Sequence, residues 1–123
     1  MSDHGTTHWP TEIRLKKAEQ RLEIDFDDGT TVQFSAEYLR VESPSAEVQG
    51  HGPGQKQLVP GKATVGIADL EPVGHYAIRI LFDDGHDTGI YSWAYLHTLG
   101  LEQERRWASY LSGLQSAGLS REK

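Results

Sequence analysis

The chain has 123 residues, no cysteine, a formal net charge of -6 and a pI near 5.4. That length suits one domain with a modest core. The lack of thiols excludes disulfides, cysteine-ligated zinc and thiolate-bound iron–sulfur clusters, and the acidic balance opposes nonspecific nucleic-acid binding. The opening residues are polar and no apolar run reaches the length of a membrane span, so a cytoplasmic protein that binds neither membrane nor nucleic acid is expected.

In chain order, residues 1–8 read as a flexible terminus. His4 and His8 offer imidazoles there, in the manner of ordinary tail histidines. Ile13 to Leu15 suit a first strand, beside the basic cluster Arg14-Leu15-Lys16-Lys17, which is expected to face solvent. Arg21 to Phe26 alternates clearly, and Thr31 to Phe34 returns with the same period, so the two form a hairpin around Asp27-Asp28-Gly29. Ser35 then resembles an N-cap ahead of one helical turn ending near Leu39.

Residues 42–62 break this pattern with Ser43-Pro44-Ser45, Gly50-His51-Gly52-Pro53-Gly54 and Pro60-Gly61. A loop this long in a small domain is either functional or mobile. Thr64 to Ile67 suit a short strand, with Ile67 to Pro72 its end and a turn. His75 reads as a turn residue ahead of the strand from Tyr76 to Phe82. That strand enters a second turn, Asp83-Asp84-Gly85, and returns through Ile90 and Tyr91 to Ser92, which caps a helix carrying Trp93, Leu96 and Leu99 and ending at Gly100. Beyond it the apolar spacing becomes helical: Leu101, Ala108, Leu111 and Leu114 share a face with Trp107 and Tyr110 at its flanks, and Gly118 is a natural C-cap. This helix either packs on the sheet or offers its stripe to another protein.

Phe-Asp-Asp-Gly therefore occurs twice, at Phe26 and Phe82, with an offset of 56 residues at the glycines and 57 at the serines. The expected fold is a small α+β domain: an antiparallel sheet built from two related β-hairpins, short helices, and a C-terminal amphipathic helix. The second turn differs from the first by gaining His86 and Asp87, and the helix after it by gaining Trp93.

That turn is the densest polar cluster. Asp83, Asp84, His86 and Asp87, with His97 approaching from the following helix, are donor types that suit zinc, iron or manganese. An acidic turn facing water accounts for the same residues. The Gly50-to-Gln55 loop has the glycines of an anion cradle but lacks the Lys-Ser/Thr of a P-loop, and His51 lacks an evident orienting partner for general-base work. Docking to a partner suits that loop better. Trp93, Tyr95 and Tyr91 suggest an aromatic cap at the sheet edge. Ser35 and Ser92 read as N-caps, not nucleophiles, since neither sits in a Gly-x-Ser-x-Gly elbow.

Tyr38 to Gly52, Ile67 to Gly74, Phe82 to Asp87 and Tyr91 to Leu96 closely resemble the DUF971 family, small proteins similar to the N-terminal domain of gamma-butyrobetaine hydroxylase. The resemblance covers about residues 9–100; residues 101–123 fall outside it, as a C-terminal helical extension. It implies a compact α+β domain without an established catalytic activity. Such domains are seen alone, ahead of 2-oxoglutarate-dependent hydroxylases, or attached to Mrp/ApbC-type P-loop ATPases linked to iron–sulfur cluster assembly. It also implies where a structural zinc sits in the hydroxylase version: three cysteine positions fall on Ser43, Ser45 and Val48, and the histidine falls on His86. Only the histidine persists.

The expected function is that of a non-enzymatic accessory or interaction domain without a cofactor, acting with such an ATPase or an iron-dependent oxygenase. Its contact surface would comprise Ser43, Ser45, His51, Gly52, Trp93 and Tyr95 near His86. The alternative is an iron- or zinc-binding protein, or an enzyme, using His86 with Asp83, Asp84, Asp87 or His97.

Overall fold

The computed structural model describes residues 8–50 and 56–122. Among them lie six strands and four α-helices: β1 (Pro10–Lys16), β2 (Arg21–Phe26), β3 (Thr31–Ser35), α1 (Ala36–Val41), α2 (Ala46–Gln49), β4 (Ile67–Val73), β5 (Ala77–Phe82), β6 (Ile90–Ser92), α3 (Trp93–Leu101) and α4 (Gln103–Ala117). The α+β class holds. Each expected hairpin acquires a strand in front of it, so there are two three-stranded antiparallel sheets, ordered β1-β2-β3 and β4-β5-β6.

The repeat is deeper than the Phe-Asp-Asp-Gly phrase. β1 and β4 lie 57 residues apart, and each carries a register shift at the same point, between Pro10 and Glu12 and between Ile67 and Asp69. The run from Ile67, read from sequence as a strand end and turn, is thus a full seven-residue strand. Its exposed, weakly alternating side chains hid it, because it is an edge strand whose place is set by pairing with β5.

The two turns match in detail. Phe26 N–H donates to Thr30 O at 2.8 Å and Phe82 N–H to His86 O at 3.0 Å, closing three-residue loops whose glycines have φ of +88° and +92°. Positive φ at the third residue is the geometry that glycine adopts without strain. Asp28 Oδ1 accepts from Thr30 N–H at 2.9 Å and Asp84 Oδ1 from His86 N–H at 3.0 Å. In both copies the first aspartate clamps the strand that opens its unit. Asp27 exchanges hydrogen bonds with the backbone of Trp9, and Asp83 does so with that of Gly66.

Ser35 and Ser92 cap α1 and α3 as expected, accepting from Tyr38 N–H at 3.0 Å and Tyr95 N–H at 3.1 Å. A single apolar core then joins the halves: Leu22, Ile24, Phe26, Val32 and Phe34 from one sheet meet Ile67, Ile78, Ile80, Phe82 and Tyr91 from the other, with Tyr38, Leu39, Leu96 and Leu99 from the helices. Helix α4 belongs to this body. It buries Tyr110 and Leu114, with Trp107 packed at the side, and leaves Leu111 exposed; Leu101, expected on this helix, is instead the exposed last residue of α3. Arg106 pairs with the buried Glu42 at 2.9 Å, and Arg121 grips Glu37 through two nitrogens. The stretch 103–121 is therefore bound to α1 by charge as well as by packing.

Gly100 does not end α3, which continues through Leu101. Its role is close approach: a Cβ there would lie 2.3 Å from Val32 Cγ1. The repeat offset equates Gly100 with Ser43 and Val32 with Gly89, and a Cβ on Gly89 would lie 2.5 Å from Ser43 Oγ. Each crossing thus has one glycine, on opposite partners. Gly100→Ala is expected to destabilise the fold by about 1–3 kcal/mol through overpacking, and Val32→Ala in the same chain to recover part of that loss. Strictly additive costs in a denaturation double-mutant cycle would contradict the contact.

Candidate functional site

The second turn and the segment after α1 are drawn together around His86. Its ring is buried: Nε2 lies 2.9 Å from Ser43 Oγ, and Nδ1 lies 2.9 Å from Glu47 Oε1. Burial first, and then the charge of Arg40, push the imidazole below its ordinary pKa, against the opposing pull of Glu47 and Asp84. A neutral ring that donates Nδ1–H to Glu47 accepts the Ser43 hydroxyl at Nε2. Ser43 Oγ in turn accepts from Ser45 N–H at 3.2 Å, and Ser45 Oγ is 2.7 Å from Thr88 Oγ1 while capping α2 by accepting from Glu47 N–H. Two short segments far apart in sequence are latched by side-chain hydrogen bonds.

The zinc that the resemblance implies does not fit this site. Of its four ligand positions, only His86 carries a donor that binds zinc well; Ser43 and Ser45 supply hydroxyls and Val48 none. The serine oxygens are already engaged with the histidine and threonine that face them.

The five residues proposed from sequence as a metal set do not converge. Among the described residues, none of the groups whose ligand atoms come close enough to share an ion contains His86. Asp83 receives Gly66 N–H at 2.9 Å, and Asp87 is exposed, its backbone carbonyl accepting from Arg79. Asp84 Oδ2 is taken by Arg40 Nε at 2.8 Å and Lys62 Nζ at 2.7 Å. Although burial pushes its carboxyl up, the hydrogen bonds from Lys62, His86 N–H and Arg40 hold it at about 2. His97 sits beside the other turn, 2.9 Å from Asp28 Oδ2. This division follows from the repeat, which equates His97 with Arg40: each turn meets the helix of the opposite half.

The residues read from sequence as a contact surface are also largely internal. Ser43, Ser45 and Trp93 are buried, and the Trp93 indole N–H donates to His75 O at 2.7 Å. Tyr95 is half-buried, its hydroxyl donating to Glu42 O at 2.5 Å. Pairing with the opposite half, invisible to a local reading, draws Ser43, Ser45 and Tyr95 inward, whereas Trp93 is held by the turn ahead of β5 in its own half. His51 and Gly52, like His4, lie outside the described residues. Sequence reasoning missed Glu47, Arg40 and Lys62, of which only Arg40 carried a signal, its repeat equivalence with His97, and it missed the pairing of Asp28 with His97.

A family profile described as gamma-butyrobetaine hydroxylase-like, N-terminal, matches residues 13–97. The chain belongs to that family. Two similar proteins are known from NMR solution structures. One is 46% identical with a TM-score of 0.82, over 98% of this chain and 90% of that one; the other is 45% identical with a TM-score of 0.81, over 94% and 90%. A crystal structure of a DUF971-family protein of unknown function from Acidithiobacillus ferrooxidans is 42% identical, with a TM-score of 0.63 over 74% of this chain and 91% of that one. No curated protein matches. The alignment covering 98% of the chain extends well beyond Gly100 and takes in α4.

A buried histidine with a lowered pKa makes stability depend on pH in a fixed direction. Below the ordinary value of 6.5 the unfolded chain takes up a proton that folded His86 refuses, so stability is full above that pH and falls as pH drops toward the lowered folded value. Urea midpoints at about pH 7.5 and 5.5 should show this loss, and His86→Gln should flatten it. An equal pH dependence in both proteins would contradict the neutral, latched histidine.

Proposed function

We propose that the protein is a cytoplasmic, non-enzymatic accessory domain that docks on an Mrp/ApbC-type P-loop ATPase of iron–sulfur cluster assembly. The observation that carries this reading is a contrast of commitment. The polar groups of the second turn and the His86 latch are spent on internal hydrogen bonds and ion pairs, whereas apolar surface beside α4 is left open. That groove, about 890 Å³, is bordered by Tyr38, Leu101, Trp107, Ala108 and Leu111, with Arg121 stacked over Trp107 at 5.4 Å. Leu101 is 70% exposed, a cost in water that a partner would remove. An apolar segment with basic flanks suits a chain of net charge -6 and a groove edged by Glu104. Family kinship with domains found beside such ATPases supports the choice of partner class, and an iron-dependent oxygenase is the other class it supports. Among the described residues no helix is long and apolar enough to cross a membrane.

Calorimetric titration of the purified ATPase into the full chain should give saturable binding. Leu101→Glu and Leu111→Glu, each on exposed surface, should weaken it by about tenfold or more while leaving the fold intact. Binding indifferent to both variants would reject the groove. Binding only to an iron-dependent oxygenase would reject the ATPase.

A further inference from the structure

Asp28 and Asp84 occupy the same place in the two turns, and their surroundings differ in a way that points to a ligand. Asp84 is neutralised by Arg40 and Lys62. Among the described residues Asp28 pairs with no lysine or arginine; it faces two imidazoles instead, with Oδ2 2.9 Å from His97 Nε2 and 3.4 Å from His8 Nδ1. The two histidine rings stack at 3.7 Å between centroids and within 6° of parallel. His8 Nδ1 is buried and makes no hydrogen bond.

We propose that His8, Asp28 and His97 form a binding site for a divalent transition-metal ion of the zinc type. One ligand atom from each of the three residues lies within 4.8 Å of the other two. Ligands about 2.1 Å from a tetrahedral centre stand about 3.4 Å apart; the His8 spacing to Asp28 Oδ2 already has that value, and the 2.9 Å hydrogen bond from His97 would open by about 0.5 Å as an ion replaced its proton. Two imidazoles and one carboxylate, with the remaining positions left to water, suit Zn²⁺ and its neighbours and not Mg²⁺ or Ca²⁺, which prefer oxygen alone.

The site is held on both sides. Asp28 Oδ1 is fixed by Thr30 N–H, leaving Oδ2 for the histidines. Phe26 packs edge-on against the buried His97 ring at 5.0 Å. His8 is delivered by its neighbour Trp9, whose backbone exchanges hydrogen bonds of 3.2 and 2.8 Å with Asp27. Stacked rings point their nitrogens side by side, so loading requires the His8 ring to tilt about its Cβ–Cγ bond, a soft torsion. An ion there would satisfy the orphaned His8 nitrogen and tie the residues ahead of β1 to α3.

Zn²⁺ titrated into the full chain after chelator treatment, followed by calorimetry, should load one ion per chain. His8→Ala is the primary variant because His97 is buried and its replacement endangers the fold. His8→Ala and Asp28→Asn should each weaken binding by about 100-fold. His86→Gln and His4→Ala should leave it unchanged, which separates this site from the His86 latch and from tail histidines. A drop in Zn²⁺ affinity confined to His86→Gln or His4→Ala would overturn the assignment, as would substoichiometric binding or binding indifferent to His8→Ala.

Discussion

The Tyr38 hydroxyl donates to Leu99 O at 2.8 Å and the Tyr95 hydroxyl to Glu42 O at 2.5 Å, so the carboxyl end of each principal helix is closed by a tyrosine from the other. The repeat offset equates Tyr38 with Tyr95 and Glu42 with Leu99, which makes these two bonds one interaction used twice. Tyr91 adds a third, donating to Leu39 O at 2.5 Å. The last carbonyls of a helix have no partner within it and are costly to bury alone. Here they are buried, and each half supplies what the other lacks. Neither β-sheet-and-helix unit can satisfy its own backbone, and the single shared core follows from that dependence.

The same reciprocity governs the polar chemistry. Each Asp-Asp-Gly turn reaches the helix of the opposite half, so the composition of a turn says little about its surroundings. Asp84 meets cations and becomes a structural anchor, whereas Asp28 meets histidines and keeps its ligand capacity. At the crossing of Ser43 over Gly89, small side chains leave room for a latch with His86, at the place where relatives of the hydroxylase type are expected to hold zinc. Of the residues that the second copy gained, His86 and Trp93 are spent on internal bonds. The plainer copy presents the more open chemistry.

Much of the fold was legible because its signals were local. Alternation located β2, β3 and β5, serine caps marked the starts of α1 and α3, and a terminal glycine marked the end of α4. The edge strand β4 was not legible, since its order comes from pairing with β5 and not from its own pattern. Gly100 misled for a related reason: local chemistry reads it as a helix stop, and only the nearness of Val32 explains it. The site was less legible. The partners of His86, Ser43 and Glu47, depend on a contact across 43 and 39 residues, and His97 was assigned to the wrong turn. The repeat held that information, because equating His97 with Arg40 links the two turn-to-helix contacts.

Native-state hydrogen exchange in the Tyr38→Phe variant tests the interlock most directly. Removing one hydroxyl leaves Leu99 O buried without its donor, at a cost of about 1–3 kcal/mol. If the halves form one cooperative unit, the most protected amides of β2 and β5 lose that same opening free energy together. A loss confined to one sheet, with the other retaining its full protection, would show that the halves stand independently and would contradict the reciprocal closure.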